Sequence, residues 1–118
     1  MTTDTLFSRG TPTHHGYRDV SPADVAAHRG TVRIIDVRQP AEYVGELGHI
    51  PGSTLVPLGT LPEAARGWDR EAPIVVVCRS GARSSSGAAQ LVAAGFRQVM
   101  NMSGGMMLYG ARGLPVER

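Results

Sequence analysis

The run IVVV at residues 74–77 constrains the fold most strongly, because four β-favouring residues stand together with no polar position among them. Alternation marks a half-buried strand, whereas an unbroken apolar run of this length marks one covered on both faces, as in the middle of a parallel sheet. Cys78 follows where that strand ends. In open α/β sheets the carboxyl ends of the strands line the ligand crevice. The next element reads as a helix over residues 84–94, with Ala88, Leu91 and Val92 on its apolar face and Gly95 as its stop. Its unpaired amides and partial positive charge point back at the sulfur.

The flank of Cys78 is what argues for reactivity. A free thiol is mostly protonated at neutral pH, and helix amino termini and neighbouring cations lower its pKa. Arg79 and Arg83 supply cations, and Gly81 adopts positive φ at no steric cost, so residues 79–83 can curl their N–H groups inward as an anion-binding nest. This predicts a sulfur kept ionised and open to solvent. A lone cysteine is more often a small buried hydrophobe, but few buried hydrophobes are followed by arginine, glycine and arginine.

The rest of the chain reads as one βαβ-like domain. A length of 118 residues with 42% hydrophobic content supports a single core. Residues 1–16 are polar and read as a mobile or loosely packed arm, with the domain proper over residues 17–118. His14 and His15 lack a third ligand at useful spacing and read as solvent-exposed, and no metal site is expected. Residues 17–20 suit a short edge strand. Ser21 as N-cap, Pro22 at the first helical position and Asp24 near a capping-box position open a helix that stops at Gly30. Residues 32–36, 54–56 and 99–102 read as strands and residues 60–66 as a short helix. The crowd of Met100, Met102, Met106 and Met107 reads as core filling.

Composition excludes several classes. The net charge is +2, all 12 basic residues are arginine, and 5% aromatic content with no basic stripe argues against nucleic acid. A single cysteine rules out an internal disulfide or a multi-cysteine metal site. No apolar run approaches a membrane span and the first residues lack a signal-peptide pattern, which leaves the cytoplasm as the default compartment.

The motif CRSGARS at residues 78–84 resembles the active-site loop of the rhodanese family, sulfurtransferases that carry sulfane sulfur as a cysteine persulfide. Further blocks follow in that family's order: IIDVRQPAEY (34–43), GHIPGS (48–53), GF (95–96), NMSGGMMLY (101–109) and GLPV (113–116). The resemblance is to single-domain thiosulfate sulfurtransferases. It implies an α/β, three-layer fold in which a central, mostly parallel sheet is flanked by helices.

The resemblance also implies roles. Cys78 is the nucleophile, and Arg79, Ser80, Gly81, Ala82 and Arg83 form the loop that binds persulfide and substrate. Arg38 contributes to anion binding. Asp36 and Glu42 read as ion-pairing scaffold near the site, and His49 resembles a turn-stabilising residue more than a general base. Tyr109 stands where the family often carries tryptophan, a change expected at the pocket wall.

The chemistry implied is a double displacement in which sulfur passes from thiosulfate or another anionic donor to Cys78 and then to a thiol, or to cyanide in an assay, with no cofactor. One alternative is a relay or binding module serving a specific sulfur-accepting protein. The other is a cysteine phosphatase or arsenate reductase, whose loop also runs from cysteine to arginine but encloses more than the four residues found here.

Overall fold

The computed structural model describes residues 4–118. In chain order the elements are α1 (Leu6–Arg9), β1 (Thr11–Pro12), β2 (Arg18–Val20), α2 (Pro22–Ala27), β3 (Arg33–Asp36), α3 (Pro40–Tyr43), β4 (Thr54–Leu55), α4 (Leu61–Ala64), β5 (Ile74–Val77), α5 (Ala82–Ala93), β6 (Val99–Met102) and α6 (Gly105–Ala111). The strands form one six-stranded sheet in the order β1-β2-β6-β5-β3-β4. β2 to β6 are all parallel and only β1 runs against its neighbour. This is the α/β architecture expected, a mostly parallel sheet with helices on both faces.

β5 lies inside the sheet, and all four of its residues are fully buried. Burying a valine or isoleucine contributes about 1.5–3 kcal/mol, so this strand anchors the fold. Side-chain alternation then sorts two cores. Ile74, Val76 and Cys78 face the layer that holds Ala88 and Leu91 of α5, whereas Val75 and Val77 face Met100, Met102, Met106 and Tyr109. Three of the four clustered methionines fill core as expected. Met107 is half exposed.

Three expectations need correction. Residues 1–3 of the arm lie outside the described residues, but part of the remainder is ordered against the domain: Leu6–Arg9 forms α1, Thr11–Pro12 forms β1, and Leu6 is 1% exposed in the cluster with Val20, Val25 and Ile34. Leu6, with Phe7 packed beside it, docks the segment on this core. β2 is consequently an inner strand, because β1 covers its outer side. The helix after Cys78 begins at Ala82 and not near Ser84, because Gly81 takes a left-handed conformation at φ 111° and turns the chain into the helix two residues earlier. Further along, Ser21 caps α2 as expected, its side chain accepting from the amide of Asp24 at 3.1 Å.

Candidate active site

Cys78 sits at the carboxyl end of β5, directly before the N-terminus of α5. Parity with Val76 turns its side chain under α5, so the residue is 1% exposed and not open to solvent as expected. The burial is polar on one side. The Gly81 amide donates to Sγ at 3.0 Å, and Ser84 Oγ lies 3.3 Å away. Burial pushes the thiol pKa up, but hydrogen bonding from Ser84 and from the Gly81 and Ser80 amides outweighs it, and the net shift is downward. Of the five loop residues expected to turn amides inward, Gly81 hydrogen-bonds the sulfur, and the amides of Ser80 and Ser84 also lower its pKa. Ala82 and Arg83 open α5, where no residue four places back accepts their N–H groups within the helix.

The loop is held from behind by α6. The amides of Met106 and Met107 donate to the carbonyls of Cys78 and Arg79 at 2.8 and 3.0 Å. Gly105 makes this approach possible, because a Cβ there would overlap the backbone of Cys78 and Arg79. The Gly-Gly pair in NMSGGMMLY therefore fixes the loop's position, a role its sequence position alone did not reveal. Tyr109 is fully buried in the opposite core and donates to the Pro115 carbonyl at 2.7 Å. Burial raises its pKa, and it forms no part of the wall around the sulfur.

The arginines divide three ways. Arg38, expected to contribute to anion binding, has its guanidinium turned to partners within the protein instead. It is 1% exposed, and its guanidinium is spent on Asp36 at 2.8 and 2.9 Å, on the Glu42 carbonyl at 3.2 Å and on the Gly48 carbonyl at 2.7 Å. It thereby staples the end of β3, the end of α3 and the GHIPG segment together. Arg83 is half exposed and makes a bidentate pair with Glu42 at 2.7 and 2.8 Å. That pair holds the Glu42 carboxyl down at about 2, below the usual 4.5, and raises Arg83. Arg79 is exposed and, among the described residues, its guanidinium has no ion-pair or hydrogen-bond partner. It borders a shallow cavity of about 210 Å³ with Arg38, Ala41, Glu42, Gly45 and Glu46.

The remaining expected residues make the following contacts. Asp36 is 1% exposed and receives Arg38. His49 uses Nδ1–H to donate to the Tyr43 carbonyl at 2.8 Å, and the two rings stack at 3.7 Å. His14 and His15 are exposed, and among the described residues no group of three or more His, Cys, Asp or Glu is placed to hold a metal. No helix among the described residues is long and apolar enough to cross a membrane. Sequence reading missed a polar chain beside the sulfur: Ser84 Oγ to Asn101 Oδ1 at 2.5 Å, and Asn101 Nδ2 to Asp19 Oδ1 at 3.0 Å. The one visible signal was asparagine inside an otherwise apolar strand at residues 99–102.

Comparison with known proteins agrees with this geometry. The model of the rhodanese-like domain matches residues 21–112. A thiosulfate sulfurtransferase GlpE of Pseudomonas entomophila (strain L48) is 37% identical over 95 residues, covering 79% of this chain and 84% of the relative. A sulfurtransferase of Allochromatium vinosum is 34% identical over 85 residues, 72% of this chain and 78% of the relative. The crystal structure of a rhodanese-related protein from Thermoplasma volcanium superposes with a TM-score of 0.78 at 28% identity, over 86% of this chain and 98% of that one. With a family match across well over half its length and two sulfurtransferases among its relatives, the chain belongs to the rhodanese-like domain family.

Proposed function

We propose that this protein transfers sulfane sulfur from thiosulfate or a similar anionic donor to a thiol through a persulfide on Cys78. The observation that carries the reading is the Gly81 amide donating to Cys78 Sγ at 3.0 Å at the mouth of α5. In the first step the thiolate attacks the outer sulfur of thiosulfate, the S–S bond breaks, and its electron pair leaves with sulfite. Cys78 then holds a terminal sulfur carrying one negative charge. In the second step a deprotonated acceptor thiol attacks that sulfur, and Cys78 leaves as thiolate. Cyanide in place of the thiol yields thiocyanate.

The loop amides stabilise the persulfide charge as fixed dipoles in a water-poor site. Arg79, whose guanidinium has no partner among the described residues, attracts the donor anion. With Arg83 committed to Glu42, the closing end of the loop offers no free guanidinium to a tetrahedral phosphate, which disfavours phosphatase chemistry. Relay to a protein acceptor is the second reading. It is favoured by Val44 and Met107, 61% and 50% exposed, which stand next to α3 and on α6, the two elements adjoining the loop.

Mass spectrometry after incubation with thiosulfate tests the main reading. One added sulfur on Cys78, removed by thiol and absent in Cys78→Ser together with turnover, is the expected result. An unmodified Cys78, or turnover that survives Cys78→Ser, overturns it. Transfer to a protein but not to small thiols would select the relay.

A further inference from the structure

Ser84 has one hydroxyl proton and three acceptors around it: Asn101 Oδ1 at 2.5 Å, the Gly81 carbonyl at 3.1 Å and Cys78 Sγ at 3.3 Å. Which of them receives the proton is decided further away. Asp19 accepts from Asn101 Nδ2 at 3.0 Å, and a carboxylate can only accept, so the Asn101 amide is fixed with its nitrogen toward Asp19 and its oxygen toward Ser84. An oxygen 2.5 Å from the hydroxyl takes the Ser84 proton. The sulfur then meets a Ser84 lone pair, a partner that suits a thiol and repels a thiolate.

Sheet register builds this line. Asp19 is the register partner of Asn101 in the parallel pairing of β2 with β6, and Asn101 is the partner of Val76 in the pairing with β5. Parallel partners share a face, which is the face of Cys78 and α5. Asn101 is 5% exposed and Ser84 fully buried, so water does not replace either contact.

We propose that Asp19 is a positioning residue for the sulfur, acting through Asn101 to decide whether Ser84 directs its hydroxyl proton to Cys78 or away from it. With Asp19 in place, Ser84 must break a short hydrogen bond before it can stabilise thiolate. Without it, Asn101 can turn its NH2 toward Ser84 Oγ and free the hydroxyl for the sulfur. Such a turn favours thiolate, the nucleophile of the first step. This rests on the proposed function only for its consequence in turnover, since ionisation of Cys78 is readable in the resting protein.

Other charges near the loop stay unchanged when Asp19 is replaced: Arg83, which interacts with the Cys78 charge, Glu42 of α3 through its pair with Arg83, the exposed Arg79 within the loop, and the buried Asp36–Arg38 pair at the end of β3. Asp19 itself lies between Arg18, which stacks on Phe7, and its β1 partner Thr11. A direct Coulomb effect of Asp19 on the sulfur has the same sign as the proposed one, so the test must separate them.

Because Cys78 is the sole cysteine, thiolate ultraviolet absorbance against pH, with the Cys78→Ser curve subtracted to remove the ionisation of the three tyrosines, reports it alone. Asp19→Ala should lower the midpoint by about one pH unit in the otherwise native chain. In a Ser84→Ala background the same substitution should lower it by less than half as much. No lowering in Asp19→Ala, or a lowering at least half as large without Ser84, overturns the proposal. Should Ser84→Ala not fold, Asn101→Leu gives a second background in which the Asp19 effect must fall by the same criterion. Sulfur loading by mass spectrometry is scored separately, so its failure counts against the function and not against this relay.

Discussion

Arg38 and Arg83 each grip both oxygens of a carboxylate, Arg38 on Asp36 at the end of β3 and Arg83 on Glu42 across the mouth of the loop. The first pair is 1% exposed on both sides, and its remaining donors hold backbone carbonyls of two other segments. The second is 37% and 28% exposed and ties side chain to side chain. The same two functional groups therefore do different things. Buried and fully bonded, they hold the frame; at the rim, they set the charge a donor meets.

Breaking the buried pair should have the largest effect. Arg38→Ala strands the Asp36 carboxylate in the core and is expected to cost about 3–5 kcal/mol in urea unfolding. Arg38→Lys should recover little of it, because a point charge cannot reproduce the two-pronged grip. A variant with native stability and impaired donor binding would reverse the assignment and restore Arg38 as a substrate contact.

The rim pair should respond more gently and in the opposite sense. Glu42→Gln keeps an acceptor for the Gln39 amide but releases Arg83 from its counter-charge, so kcat/KM for thiosulfate should rise by roughly fivefold at low salt. Arg79→Ala should lower it by a similar factor without changing the thermal midpoint. Glu42 also sets an acid limb. Its folded carboxyl lies at about 2 against 4.5, so its stabilisation is present above 4.5 and is lost as pH falls from there toward 2. With both partners partly exposed, this amounts to roughly 1 kcal/mol after screening, and Glu42→Gln should remove that limb.

Much of this was legible in the sequence, for identifiable reasons. An apolar run of four residues means the same thing in most folds, and it placed Cys78 at the sheet end. Gly81 had to take positive φ for the chain to turn into a helix, and it does. What sequence could not reveal is contact created by register. Asp19 and Asn101 are 82 residues apart and meet only because β2 pairs with β6. Arg38 misled for a related reason: a charge at a strand end points equally well at a crevice or at its own Asp36, and burial by the GHIPG segment decides which. The docking of Leu6 likewise depends on a cavity that no local pattern describes.

At the centre of the site is a buried sulfur held as thiolate by the backbone amides of Gly81, Ser80 and Ser84. Titration of the folded native protein, followed through the ultraviolet absorbance of its one cysteine, tests it most directly. The account predicts a midpoint clearly below that of the same thiol in the unfolded chain. A midpoint equal to or above the unfolded value would mean that burial wins over the donors, and the site would then hold an inert thiol.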